Sequence, residues 1–580
     1  MAAIITSKFR FHNAEQFKES FSEAAPTNYY LFIGRPSAFA SGTTGGSDSA
    51  PPTPVDNRRS EAYNWDDMLA AKKIDSTGVT HAIPRRDLDV SGATTYDMYR
   101  PNYSASNTAN SGATSLFDST FYFMTSAYRV YKILENNGNS AWTAAEPTST
   151  SPIPFAAGGY TIKYMFTLST TQVQNFLTPD FIPVLTSAES GNARTDGGLD
   201  VVKVTTAGLS LVGGSVWADT ADRTIVNVPV RGDGTGALCS VVIGGTSGSL
   251  DGTITTVTVN TQGSGYTHAT ILPDDIKEQH DIQHSGVLTF SANPVFEVII
   301  GPDGGHGSNP ARELGGHFCL TDVKLQQTEA FDFSVVNDFR QIGIVRSPYS
   351  YGTTSNFTGS TCRQTFSVKL ASNSGTFTVD EKISQTISAQ SIDSMTVDGS
   401  VITVNTDAAH QLATGQMVKI ANGSFAGGAQ TGHQGTHHIT KTDADTFTFT
   451  VSSSRTPTGL FTVGSAVYTT FIPQGIVVEW DATNKILFYV QNVYDNQGTD
   501  ATYKQTIPFS GNSTITGATS NATGVPDVAS SATVNNTVFV AGYASPELQP
   551  DSGDVIYIEN RKPISRASDQ TEDVKLVVEF

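Results

Sequence analysis

The chain predicts a mainly β, multi-domain fold, with β-sandwich or small β-barrel modules and a few short helices. Three observations carry the prediction. Short runs of Val, Ile, Phe, Tyr and Thr recur along the whole sequence, separated by 52 glycines and abundant Ser and Thr. Helical periodicity is confined to a few short stretches. At 580 residues the chain also exceeds the size at which a single core keeps growing, so about three or four domains are expected.

The first helix is expected over residues 12–21, where Phe17 and Phe21 fall four apart on one face and Asn13 can cap the start. A second is expected over 63–73, with Trp65, Met68 and Leu69 on one side. Residues 128–132 and 159–166 read as strands. From about 201 to 301 the pattern becomes Gly-punctuated, through Gly208, Gly213, Gly214, Gly232, Gly234, Gly236, Gly244, Gly245, Gly263 and Gly265. Alternating strands at 224–230 and 253–259 there predict a compact β-sandwich insert closing near 301–307. A third module begins near Ser391, and the runs 400–404, 416–420 and 446–451, with Ala409-His410-Gln411-Leu412 between the first two, read as a small β-barrel. Strands at 475–480 and 486–490 lead into a Ser/Thr/Asn-rich stretch, 511–536, that reads as a surface loop or further β turns, with its low hydrophobicity favouring the loop. The final stretch reads as two strands. Val555, Tyr557 and Glu559 share one face of the first, and Val574, Leu576, Val578 and Phe580 point one way from the second. A polar turn holds Arg561, Lys562, Pro563, Arg566, Asp569, Gln570, Thr571 and Glu572 between them. A terminus that ends as a strand on an aromatic is expected to be paired inside a sheet.

The net charge of -19 repels phosphate, so direct nucleic-acid binding by the whole chain is disfavoured. Cys239, Cys319 and Cys362 are odd in number and far apart, which suits reduced thiols and neither a disulfide framework nor a CxxC metal pair. The amino end lacks the apolar core of a signal peptide, and no run approaches the roughly 18 to 20 apolar residues that span a bilayer. A soluble chain made in the cytosol is expected.

No catalytic constellation rises above the background. His280-Asp281-Ile282-Gln283-His284 is a near match to the HExxH metal-hydrolase helix. Its Asp is short for activating a metal-bound water, and the flanking Pro273 and Gly286 leave little room for a helix, so a solvated polar loop is expected. His433, His437 and His438 form a second cluster, whose metal binding is left open; positions 437 and 438 of a strand point to opposite faces. Gly232-Asp233-Gly234-Thr235-Gly236 resembles a nucleotide fingerprint, but a strand follows it where the fingerprint needs a helix. No catalytic residue, cofactor or metal is therefore assigned.

Several segments, in the same order along the chain, resemble one family. They are Ile4-Ile5-Thr6-Ser7-Lys8-Phe9-Arg10, then Tyr30-Leu31-Phe32-Ile33-Gly34-Arg35, a turn at Pro51, Pro52 and Pro54, Trp65-Asp66-Asp67-Met68, and Ile83-Pro84-Arg85-Arg86-Asp87. Residues 128–132 and 159–166, a central echo at Phe339-Arg340-Gln341-Ile342-Gly343-Ile344, and residues 556–580 continue the series. The family is the dimeric baseplate wedge subunit of T4-like contractile-tailed phages, the gene-8-product type. The resemblance covers residues 1 to about 184, a thinner trace near 330–348, and 542–580, with long insertions at about 349–541 and between 198 and 320. The third module is similar to small β modules scattered through phage tail proteins.

The resemblance implies a discontinuous core domain built from both chain ends, 1–197 and 542–580; the strand patterns then divide the rest into 198–315 as an inserted β-sandwich, 316–385 as a β segment returning to the core, 386–470 as an inserted small β-barrel, and 471–541 as a β segment with the Ser/Thr/Asn-rich loop. It implies a structural component of the virion tail baseplate, assembled in the host cytoplasm, and not an enzyme. Its partners would be a second copy of the chain and other baseplate wedge proteins, with no nucleic acid and no membrane insertion. Arg85, Arg86, Asp87, Arg561, Lys562 and Arg566 would then be charged contacts to neighbouring subunits, or internal salt bridges supporting the core. Two rival classes are a host-binding tail fibre or spike, marked by trimers and long repeats, and a tail-associated hydrolase, which needs a carboxylate pair or metal in a cleft.

Overall fold

A computed structural model describes residues 5–23, 27–39, 46–204, 220–245, 252–327, 329, 332–386, 389–410, 412, 414–426, 432–470, 472–491, 507–529 and 531–580. Ile4, Gly208, Gly213, Gly214 and Gln411 lie outside the described residues. The described residues hold far more strand than helix, with five α-helices among them. The chain divides into two compact units, each discontinuous in sequence: one holds residues 1–22, 76–322 and 575–580, the other 23–75 and 323–574.

In the first unit, strands Tyr122–Met124, Arg129–Glu135, Tyr160–Thr167 and Phe155–Ala157 form an antiparallel sheet in that order. Its core is aromatic: Phe121, Tyr122, Phe123, Tyr131, Trp142, Tyr160 and Phe166 are fully buried, and Trp142 stacks on Tyr160 with ring centroids 5.3 Å apart. A second sheet has the order Thr571–Glu579, Phe318–Gln326, Val79–Pro84, Phe181–Val184. Strands Arg223–Pro229, Thr235–Ile243 and Ile254–Ser264 and helix Pro273–Gln283 surround a separate core of Ile225, Val228, Cys239, Val241, Ile243 and Ile276. The first helix runs Ser7–Glu19. Its cap is Thr6, whose hydroxyl accepts from Phe9 N at 3.2 Å, so Asn13 is an interior residue and not the cap expected of it. Phe17 does pack edge-on against Phe21 at 5.1 Å, and it also meets Phe580 at 5.3 Å.

In the second unit, five antiparallel strands lie in the order Thr361–Arg363, Met68–Lys73, Tyr29–Gly34, Phe339–Arg346, Asp554–Ile564. Segments from the amino end, the middle and the carboxyl end of the chain thus share one sheet: Ile344 pairs with Leu31 on one side and with Tyr557 on the other. The core domain is discontinuous, as the sequence predicts. Residues 63–73 are not one helix. Helix Arg58–Asp66 stops before Met68–Lys73, which is a strand because Tyr29–Gly34 and Thr361–Arg363 flank it and take up its backbone groups. A second assembly joins Phe366–Ser374, Lys382–Gln385, Gln474–Asp481, Ile486–Val490, Ile515–Gly517 and Thr523–Pro526, and a pairing between Phe366–Ser374 and Ile486–Val490 closes the sheet on itself. Residues 511–536 supply three of this unit's strands, Ile515–Gly517, Thr523–Pro526 and Ala532–Val534, so the loop reading is corrected. Their few apolar side chains suffice because backbone pairing is satisfied by neighbouring strands. Seven of the strands between Gln390 and Thr470 form a further sheet over its own core, including Ile392, Ile402, Val404, Phe447 and Phe449, and Ser424–Phe425 pairs separately with Phe461–Thr462.

Candidate subunit-contact surface

The last strand of the five-stranded sheet, Asp554–Ile564, is an edge. Its register with Phe339–Arg346 slips between Phe339, paired with Ile564, and Gln341, paired with Asn560. Arg561, Lys562 and Pro563 therefore stand opposite the single residue Arg340, a bulge of two extra residues that interrupts the ladder. Proline is tolerated there because the position needs no ladder donor. These three residues belong to the strand and not to the turn where the sequence placed them. Arg561 and Lys562 are exposed, and Arg561 Nε lies 3.5 Å from Glu559. Arg566 goes the other way. Its side chain is 1% exposed, donates to the Ser334 carbonyl, lies 3.6 Å from Glu572 and sits over the Phe339 ring at 5.6 Å. Burial lowers the pKa of this guanidinium and raises that of Glu572.

The Arg85-Arg86-Asp87 segment splits in the same way. Arg85 Nε donates to both Asp87 carboxylate oxygens at 2.9 and 3.0 Å, and its Nη1 donates to Thr178 O at 3.0 Å. Asp87 is exposed. Arg86 faces inward, donating to the carbonyls of Ser119, Phe117 (3.1 Å) and Asp118 (3.4 Å), with its Cζ 4.5 Å above the Tyr122 ring. Of the six charged candidates, Arg86 and Arg566 are internal supports, Arg85 is half-buried and held by Asp87 and Thr178, and Asp87, Arg561 and Lys562 are exposed.

His280 and His284 do lie on one helical stretch: Pro273–Gln283 is a helix, capped by His284, because Pro273 fits its first turn. The loop expected there is corrected. Their lone pairs are poorly placed for a metal. His280 Nε2 accepts from Arg223 Nη1 at 2.6 Å, so a guanidinium occupies the ligating position, and His284 Nε2 donates to Thr224 O at 3.0 Å. His433 Nε2, His437 Nε2 and His438 Nδ1 bond the carbonyls of Asn422, His433 and Gly415, and His437 stacks on Phe449 at 4.0 Å. Among the described residues no group of three or more His, Cys, Asp and Glu is placed to hold a metal. The glycine run at 232–236 is followed by strand Thr235–Ile243.

Sequence reasoning missed a buried polar cluster in the first unit. Lys132 and Lys163 are directly paired across two strands, and neither is exposed. Lys132 Nζ donates to Glu313 Oε2 at 2.9 Å and to His306 Nδ1 at 2.8 Å, and lies 3.7 Å from the Tyr99 ring centroid. Burial opposes ionisation of Glu313, but the Lys132 ammonium beside it outweighs burial and holds the carboxyl down to about 2. Because His306 Nδ1 accepts, its proton is on Nε2, which is buried and has no hydrogen-bond partner among the described residues. A signal existed: Lys132 shares a strand face with Val130 and Leu134, and Lys163 with Met165.

Among the described residues no helix is long and apolar enough to cross a membrane. Compared with known proteins, residues 3–145 and 521–580 match the family model described as Phage-Gp8: Bacteriophage T4, Gp8. The matched pieces are the two ends of the chain, and they include strands Tyr29–Gly34, Met68–Lys73 and Asp554–Ile564 of the five-stranded sheet. Residues 159–166 and 339–344 lie outside the matched pieces. No curated protein matches the chain.

Proposed function

We propose that this protein is a phage baseplate structural component, a wedge subunit that dimerises and binds neighbouring wedge proteins as the baseplate assembles and switches; the match of both chain ends to the Gp8 model supports the reading. The observation that carries the reading is the five-stranded sheet, in which the matched ends are bound together through Phe339–Arg346. A role in assembly needs a rigid scaffold with surfaces left free for other subunits, and the edge strand Asp554–Ile564 offers one. Arg561 and Lys562 on its bulge, with Arg85 and Asp87, are the charged contact groups. A two-fold interface would bury the same patch on both copies. The acidic chain stays soluble before assembly, and its role requires neither catalysis nor a cofactor. The virion tail is its place of action, with assembly in the host cytoplasm.

Light scattering on a size-exclusion column tests the reading. A stable dimer is the expected result. A stable trimer would overturn it in favour of a fibre or spike. A monomer would make dimerisation depend on the assembled wedge, to be checked by repeating the measurement with the other wedge proteins present.

A further inference from the structure

Lys163 and Asn192 are buried side by side, with Lys163 wholly inaccessible and Asn192 3% exposed. Lys163 Nζ donates to Asn192 Oδ1 at 2.5 Å, to Asn192 O at 3.0 Å and to Tyr164 O at 2.7 Å. All three acceptors are amide oxygens, where a buried ammonium ordinarily meets a carboxylate. The Asn192 amide is held in place, since its Nδ2 donates to Tyr164 O at 3.1 Å and Met165 O at 2.6 Å. Gly307 packs on both side chains: a Cβ there would lie 3.2 Å from Lys163 Nζ and 3.5 Å from Asn192 Nδ2. Gly307 N donates to Glu313 Oε1 at 2.7 Å, which puts a fully buried carboxylate on the far side of that glycine. Burial lowers the Lys163 pKa to about 8, so an uncharged amine is accessible near neutral pH.

We propose that Lys163 and Asn192 join in an intramolecular isopeptide bond. The uncharged Nζ attacks Asn192 Cγ, the Nζ–Cγ bond forms, the Cγ–Nδ2 bond breaks, and one Nζ proton passes to the departing Nδ2. Ammonia leaves and no oxidant or cofactor takes part. Holding amine and amide in contact supplies the proximity that makes such an attack feasible. Glu313 is a positioning residue, holding the Gly307 backbone against the reacting pair. The bond ties strand Tyr160–Thr167 to the loop after Phe181–Val184 and shortens the free chain of the unfolded state. This inference is independent of the baseplate reading.

Denaturing intact-mass spectrometry of the full chain decides it. The expected mass falls below the sequence mass by about 17 Da, one ammonia, and a tryptic digest yields a branched peptide joined at 163 and 192. Lys163→Arg and Asn192→Ala abolish the deficit, whereas Asn192→Asp converts it to about 18 Da, one water. The full sequence mass in folded wild-type protein would overturn the proposal, as would a deficit mapped to another residue such as Asn137, which precedes Gly138. The wild-type bond forms faster as pH rises toward 8, following the uncharged amine. Glu313→Gln slows the reaction and Glu313→Asp restores part of it with the same pH profile; equal rates in all three remove Glu313 from the account.

Discussion

Lys132 has no route to water, and its charge is answered by Glu313. Removing one partner of a buried ion pair leaves the other uncompensated, which costs more than the pair contributes. Glu313→Ala should therefore destabilise the first unit by about 3–5 kcal/mol, read as a lowered midpoint in denaturant melts. Acid should act on the same unit. His81 and His317 are lowered to about 4, chiefly by burial and then by the nearby Lys18 and Arg10 charges, and His306 is lowered by burial and Lys132. The unfolded histidines bind protons near 6.5 and the folded ones do not, so the unfolded state gains protons as pH falls. The resulting stability is complete above about 6.5 and is lost progressively as pH falls toward 4. Glu313 extends the loss, from 4.5 down to about 2. Thermal melts should show a lower midpoint at pH 5 than at pH 7.5, and equal midpoints would contradict neutral burial of these rings.

Among the elements, strand Phe339–Arg346 binds the five-stranded sheet together, and Gly343 lets it do so. A Cβ at 343 would lie 2.3 Å from the Phe32 ring and 2.6 Å from Tyr557 O, so the glycine marks a close approach of strands from the two ends of the chain. Gly343→Ala should cost about 1–3 kcal/mol by overpacking, measured by chemical denaturation. The edge strand behaves oppositely. Reversing charge at Arg561 and Lys562 should leave stability within about 0.5 kcal/mol, because both side chains are solvent-exposed, while weakening self-association in the light-scattering experiment. If association is unchanged, the bulge is not the contact. Such contrasts come from pairing: the strands Met68–Lys73, Ile515–Gly517 and Thr523–Pro526 carry weak local signals and were resolved by partners distant in sequence.

For the molecule as a whole, a net charge of -19 disfavours contact with nucleic acid. Gel-shift assays with double-stranded DNA should show no retarded band even at low ionic strength, where phosphate attraction is strongest. Retention there would mean a local basic surface outweighs the overall repulsion. The mainly β class and the Gp8-type character of both ends were legible in the sequence, because alternation, turn residues and ordered motifs are written locally. The sharing of one sheet by the two ends was legible too, since both carried segments of a single family. Only the tertiary structure decided which charged groups face outward: Arg566 is closed off by Phe339 and Ser334, whereas Arg561 stands exposed on a bulge that depends on register with a strand more than two hundred residues earlier. The meeting of Lys163 with Asn192, like that of Lys132 with Glu313, was equally beyond local reading. Strand period says which residues share a face; what covers that face is set by long-range packing.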